Sequence, residues 1–329
     1  MANIFEKADK YAATALELLQ SELKGAGLFV HRYGVADYAG AKGDTVMVKR
    51  PVILKARDAG FRSRNALVVD EIMQSKIAVK LSKHPYSRVE LSPEEETLDE
   101  VNYVADVQAP QVRAISDDFD ESIADALRGA TFVNTVNFTP GTTDRWGDPR
   151  KVARRAKRLL DGYSVPAAGR YWLVGSAVSE EIATCEQLLA VDTSGLPEAL
   201  RDGVVGKLSG FTIIDWPTLG DDEAFFVHNT AVAISAVAPV VPNGAKAGAS
   251  VAGAGLAVTQ VWDYQSGTLA DQSTVHAFTG ADVVNDPKIV ASGQRKGLIE
   301  LNADEPVMQF VRAVKVNFTE QTEAAGTAG

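Results

Sequence analysis

The spacing of apolar residues changes several times along the 329-residue chain, and each change marks an element. In residues 4–23, Ile4, Ala8, Tyr11, Ala15, Leu18 and Leu19 recur mostly at steps of three and four. That predicts an amphipathic helix ended by Gly25 and Gly27. It packs either on its own domain or, as an arm, on a neighbouring chain. From residue 44 the pattern shortens to strand-like runs: DTVMVKRPVILKAR, KIAVKLS and RVEL. Ile77, Val79 and Leu81 alternate with Lys76, Ala78 and Lys80, the period of a half-exposed strand. Short apolar runs divided by charges predict a projecting β-hairpin over residues 44–91. Such a hairpin needs a surface to pack on. Arg57, Arg62, Arg64, Lys76, Lys80, Lys83 and Arg88 make it basic.

Ser92-Pro93-Glu94-Glu95 has the chemistry of a helix start: a hydroxyl cap, proline in the first turn, and acids at the positive dipole end. The stripe Val101, Val104, Ala105, Val112, Ile115, Phe119, Ile123 and Leu127 then runs to Gly129, with Pro110 expected to kink or break it. About 30 residues at ~1.5 Å each make a spine of roughly 45 Å. Its other face is acidic: Asp99, Glu100, Asp106, Asp117, Asp118, Asp120, Glu121 and Asp125. Asp148-Pro149 opens a second helix, in which Val152, Ala156, Leu159 and Leu160 form the apolar stripe. Arg150, Lys151, Arg154, Arg155, Lys157 and Arg158 surround that stripe.

Residues 171–174 read as a buried strand. Ser179-Glu180-Glu181 reads as the start of a helix whose inner face includes Ile182, Cys185, Leu188 and Leu189, making Cys185 a core thiol. The stretch ALRDGVVGKLSGFTIIDWPTL (199–219) follows, with Gly203, Gly206 and Gly210 expected at tight turns. Around it the rest of the chain is expected to be organised. Strands are predicted at 223–227, 230–237, 256–264, 274–278, 297–302 and 307–318. The small-residue run PNGAKAGASVAGAG (242–255) is predicted as a loop, and residues 321–329 as a frayed tail. No internal repeat is visible.

Composition narrows the function classes. A net charge of −10 argues against a dedicated nucleic-acid binder, though not against local basic patches. One cysteine precludes an intrachain disulfide. No apolar run reaches membrane-span length, and the charged start MANIFEKADKY is unlike a signal peptide. Motifs that carry chemistry fail on specific residues. Gly206-Lys207 lacks the hydroxyl at Leu208 and the upstream glycine at Arg201 that a phosphate loop needs. Gly253 and Gly255 are followed by Val258 where a dinucleotide loop requires glycine. Ser176 has Val174 and Val178 where a nucleophile elbow has glycines. Asp192-Thr193-Ser194-Gly195 departs from an aspartic-protease loop and has no second copy. One cysteine and four histidines isolated in sequence (His31, His84, His228, His276) give no metal-ligand spacing. No catalytic, cofactor-binding or metal residue is assigned.

Three segments, taken in this order, resemble the major capsid proteins of tailed double-stranded DNA bacteriophages. They are QAPQVRAISDDFDESIADAL in the spine, DPRKVARRAKRLLDGYSVPAAGRYWLVG, and LRDGVVGKLSGFTIID. The resemblance covers nearly the whole chain. It implies an α+β, wedge-shaped subunit with the tailed-phage major capsid fold. In this sequence the parts would be an N-terminal arm (1–43), an extended β-hairpin loop (44–91), and a peripheral domain with the spine and basic helices (92–164). A mixed α/β axial domain (165–250) and returning strands with a tail (251–329) would complete it.

The function implied is a structural one, with no enzyme activity and no cofactor: self-assembly into an icosahedral shell enclosing double-stranded DNA. The implied partners are other copies in hexamers and pentamers, a portal protein, and in some relatives scaffolding and decoration proteins. DNA would be packaged without sequence specificity, and no membrane is involved. The location would be the virion, after assembly in the host cytoplasm. No long segment precedes the first helix, so any scaffolding is expected from a separate protein. The lysine–asparagine crosslink of some relatives is not identifiable here.

On these residues we expect the basic hairpin of one subunit (Arg57, Arg62, Arg64, Lys76, Arg88) to dock on a neighbour's acidic spine (Asp117, Asp118, Asp120, Glu121). Many exposed ion pairs of ~0–1 kcal/mol each would add across a lattice. Arg154 and Arg155 on the basic helix are expected to meet protein rather than DNA. Two rivals stand beside this reading: an encapsulin-like cellular compartment of the same fold, and a small-molecule α/β enzyme using the glycine-rich segments.

Overall fold

A computed structural model describes residues 3–22, 25–34, 45–49, 76–92, 103–138, 148–184, 206–253, 255–287, 289–292, 295–299 and 308–318. The chain opens with helices α1 (Asn3–Glu22) and α2 (Gly25–Leu28), then strand β1 (His31–Tyr33). Strands β2 (Thr45–Lys49), β3 (Lys76–Lys80) and β4 (Tyr86–Leu91) follow. A π-helical turn (Tyr103–Gln108) leads into α3 (Ala109–Arg128). Next come β5 (Thr135–Phe138), α4 (Pro149–Gly162), β6 (Arg170–Val174) and α5 (Ser176–Thr184). The remainder is strand-rich: β7 (Lys207–Leu208), β8 (Phe211–Asp215), β9 (Ala224–His228), β10 (Val232–Val237), β11 (Ala247–Gly253) and β12 (Leu256–Gln265). It continues with β13 (Ala270–His276), β14 (Phe278–Val283), β15 (Asp286–Pro287), β16 (Ile289–Ser292), β17 (Arg295–Ile299), β18 (Met308–Gln309) and β19 (Ala313–Phe318).

A six-stranded mixed sheet, ordered β5-β19-β9-β6-β8-β7, divides the interior in two. Successive strand residues point to opposite faces. Leu173, Phe225, Val227 and Ala313 therefore enter one core, while Trp172, Val174, Ala224, Phe226, Val314 and Val316 enter the other. The first core is closed by α1 and α3, with Leu19, Ile115, Phe119, Ile123 and Leu127 all buried. The second is closed by α4 through Val152, Ala153, Ala156 and Leu160. Trp172 stacks on Phe226 with ring centroids 4.6 Å apart, and Phe211 meets Phe226 edge-on at 4.7 Å. Two smaller sheets, β11-β12-β13-β4 and β1-β10-β14, extend the first core.

Several sequence expectations change here. Pro110 neither kinks nor breaks a continuous α-helix: it sits in the first turn of α3, where its missing N–H costs nothing, and the residues before it wind as a π-helix. Helix α5 starts at Ser176, three residues before the expected Ser179. The small-residue run 242–255 is no loop throughout. Ala247–Gly253 is a strand paired with β12, and its small side chains let α1 pack closely, with Ala12 and Ala249 buried together. Strand β4 pairs with β13 in the body rather than with the hairpin. The predicted strand 307–318 breaks between β18 and β19, where Phe310 turns into the core. In the 199–219 stretch, Ser209 (φ 53) and Gly210 (φ 93) make the tight turn between β7 and β8. The stretch is not the hub: β8 lies near one edge of the sheet, whose centre is β9 and β6. Helix α4 shares its core with β6 and β8. Residues 93–102, Cys185 and 199–205 lie outside the described residues, as do the hairpin beyond Lys49 up to residue 75 and the tail from 319.

Candidate assembly surfaces

The hairpin is rooted firmly in the body. Strands β2 and β3 pair antiparallel, Thr45 opposite Lys80 and Lys49 opposite Lys76. Val79 is fully buried against Ala233 and Val284. The return leg is tied along β14: Lys80 N–H donates to Asp282 Oδ2 (2.8 Å), and Ser82 and Lys83 N–H both donate to Thr279 O (3.0 Å each). Gly280 is needed there, because a Cβ on it would lie 2.0 Å from Lys80 O. Arg57, Arg62 and Arg64 fall outside the described residues, and Lys76 is placed on β3 by its backbone. Arg88 stands on β4, in an exposed row with Tyr86 and Glu90, and its guanidinium bonds Gln272 Oε1.

The acidic spine separates into four kinds of carboxylate. Asp117 is exposed. Glu121 and Asp125 are bound to Arg128 at 2.6 and 3.3 Å, and Asp125 also lies 3.6 Å from Lys83 Nζ. Arg128 reaches on to Glu223 (2.9 Å) and Thr218 O (2.9 Å), tying the helix end to the turn before β9. Asp120 is only 6% exposed and accepts a hydrogen bond from Gly25 N–H, so it does not belong to an outer face; it ties α2 to the spine. The helical period explains it. Asp120 follows Phe119 on the edge of the apolar stripe, where the start of α2 covers it. Asp118 is half-buried, and its Oδ2 has no hydrogen-bond partner among the described residues.

Above the spine lies a buried polar network that the sequence did not reveal. Gln260 Nε2 (2.6 Å) and Trp262 Nε1 (3.1 Å) donate to Tyr103 Oη. Ser273 Oγ donates to Gln111 Oε1 (3.1 Å), so the Tyr103 hydroxyl donates to Ser273 at 2.7 Å. Gln108, fully buried, donates to Gln260 Oε1 (2.9 Å) and to Tyr11 O on α1. Burial holds the Tyr103 phenol above its ordinary pKa, against the hydrogen bonds that favour ionisation.

Helix α4 presents Lys151, Arg154, Arg155, Lys157 and Arg158 to solvent. Its two acids are occupied at the ends: Asp148 caps Arg150 N–H (2.9 Å), and Asp161 takes Arg170 at 2.7 Å. Arg154 and Arg155 make no ion pair among the described residues.

Two histidines that are isolated in sequence meet in space. His84 Nε2 lies 3.0 Å from His276 Nδ1 across 192 positions, and the His84 ring packs on Phe278 at 4.5 Å. Burial, then the neighbouring His84, lowers the pKa of His276. His228 is separate. Its Nδ1 accepts from Thr230 N–H (3.3 Å), and its Nε2–H donates to Ala168 O (2.9 Å). Burial, with the Arg312 and Arg170 cations, lowers its pKa despite the Ala168 bond. No group of three or more potential metal ligands occurs among the described residues. Ser176 opens α5. Gly253 pairs with Leu256, and Gly255 (φ 76) lies in the β-hairpin turn between them rather than in a ligand loop.

The sequence matches no protein-family profile, and comparison with curated proteins finds no relative. Solved structures are similar over nearly the whole length. A chain from Mycobacterium phage Che8 superposes with a TM-score of 0.58 at 17% identity, covering 91% of this chain and 92% of its own. The capsid structure of the cyanophage P-SCSP1u gives 0.57 at 12% identity, covering 89% and 87%. The virus-like particle from Pyrococcus furiosus gives 0.51 at 9%, covering 96% and 100%. At these identities the likeness is one of fold.

Proposed function

We propose that this chain, whose fold is that of the tailed-phage major capsid proteins, is the shell subunit of an icosahedral capsid enclosing double-stranded DNA. One observation carries the reading: the likeness to phage capsid chains spans some nine-tenths of both partners, too much of the chain for a shared sub-motif. The surfaces above suit such a role. The base of the basic hairpin, β2 and β3, is fixed to the body, and the exposed part of the acidic spine offers a complement of opposite charge. On the spine, Asp117 stays in the proposed contact and Asp120 leaves it, being engaged within the chain. Arg154 and Arg155, which make no ion pair among the described residues, meet carboxylates of adjacent subunits, since the chain as a whole is acidic. No step of chemistry is required of the subunit.

Negative-stain electron microscopy of the purified chain tests this. Closed shells or capsomer rings are expected, and a uniform population of small particles at all concentrations would overturn it. The likeness to the Pyrococcus furiosus particle keeps a second reading, a cellular compartment of the same fold. The contents of native shells decide between them: nucleic acid supports the capsid, and protein cargo supports the compartment.

A further inference from the structure

We propose that His84 and His276 form a two-histidine chelate for a divalent transition ion of the zinc, nickel or copper class, clamping the return leg of the hairpin to the body sheet. The two rings come from separate segments, and their nearest nitrogens are 3.0 Å apart. Two metal–nitrogen bonds of about 2.0–2.1 Å with that separation enclose roughly 91–97°. That is the cis angle of an octahedral ion, and a few tenths of an ångström more gives the tetrahedral angle. Imidazole suits this class of ion and not magnesium or calcium.

The electrostatics agree with the geometry. In the metal-free pair one nitrogen holds the proton between the rings. Transfer of that proton to the far nitrogen of the same ring, a tautomer change, leaves both facing lone pairs for the ion. No proton need be lost from the neutral pair. Lys83, the cation next to His84 in the chain, is paired with Asp125 at 3.6 Å. His84 is exposed, so its ring can turn and water can fill the remaining coordination positions.

The position gives the ion a mechanical role. His84 follows Lys83, whose N–H is bonded to Thr279 O, and precedes Pro85, whose carbonyl accepts from Ala277 N–H at 3.2 Å. An ion here joins residues 84 and 276 across the seam where the hairpin leaves the body. It therefore stabilises the rooted arrangement over any in which the return leg lifts, by mass action.

The test is zinc titration of the full chain at neutral pH, by calorimetry and by thermal unfolding, with magnesium as control. One zinc ion per chain and a saturable rise in Tm are expected. In His84→Ala and His276→Ala, binding weakens by more than the roughly 10–100-fold that loss of an outer-shell partner costs. His84→Phe keeps the packing on Phe278 and removes the nitrogen, so it separates lost ligation from lost structure. Absence of zinc binding to the wild-type chain overturns the proposal. So does binding that persists unchanged in His84→Phe, which would place the ion elsewhere. Shell formation is not an assumption of this test, so its outcome is separate from that of the capsid reading.

Discussion

The backbone N–H of Gly25 donates to Asp120 Oδ1 at 3.0 Å, joining the second helix of the chain to the spine across 95 positions. Trp216 closes the same contact: a Cβ on Gly25 would lie 2.4 Å from its Cζ2. An acidic side chain on the surface of the sequence pattern is thus an interior tie. Asp120→Ala is expected to lower unfolding free energy by about 1–3 kcal/mol, the cost of stranding a buried donor. Asp117→Ala, one turn earlier and exposed, should stay within about 0.5 kcal/mol. Equal urea midpoints for the two variants would contradict this division of the acidic set.

Tyr103→Phe removes one hydroxyl but disturbs three partners, Gln260, Trp262 and Ser273. A loss of about 1–3 kcal/mol is expected. Because Gln108 links this network to Tyr11 O, α1 should also become more open to exchange. Hydrogen exchange localised to α1, against an unchanged α4, would report that coupling.

Stability should fall on mild acidification. His228 is held neutral in the fold, with its pKa below the ordinary value near 6.5. Below about pH 6.5 the unfolded chain therefore binds more protons at this site than the folded one. The contribution is complete above that pH and is lost as pH falls toward the lowered folded value. His228→Gln should flatten the dependence of unfolding free energy on pH in this window. An unchanged slope in denaturant melts at stepped pH would refute it.

Reversing charge at Arg62 and Arg64 together is expected to block assembly while leaving the circular dichroism of the subunit unchanged. Normal shells from Arg62→Glu/Arg64→Glu, seen by electron microscopy, would remove the hairpin-to-spine contact from the proposal.

For α4, Arg154→Ala/Arg155→Ala should weaken capsomer association at low salt more than at high salt. Capsomers of the unmodified chain should show no salt-sensitive DNA affinity. If they do bind DNA and this double variant abolishes it, the helix faces nucleic acid instead.

Periodic elements were legible in the sequence because a single physical pattern specifies each. The helix cap at Asp148, the apolar stripe of α4 and the stripe from Val112 to Leu127 all appear where the spacing placed them. The strand of small residues at 247–253 was not legible. Alanine and glycine are poor strand formers, and that segment is held by its ladder to β12 and the close approach of α1. Asp120 and the His84–His276 pair were missed for a related reason. Their roles depend on partners 95 and 192 positions away, and no local spacing encodes those distances. Outward and inward carboxylates on one helix look alike until the covering segment is known.

The two-sided sheet has a consequence for how its strands find alignment. In most half-buried sheets, a slip of one residue throws apolar groups into water, and that penalty fixes the pairing. Strand β9 is buried at all five positions, so a slipped β9 would exchange the contents of two greasy compartments and expose nothing. Over Ala224–Val227 polarity is blind to that error, and only the hydrogen bonds of His228 at the strand's end register it. What discriminates is shape: the Trp172–Phe226 stack, the glycine at 175 that would meet Gly220 O at 2.0 Å if it bore a Cβ, and the left-handed turn at Ser209-Gly210. Substitutions that keep hydrophobicity but alter volume on β6 and β9 should therefore produce mispaired, slowly maturing chains rather than simply weaker ones.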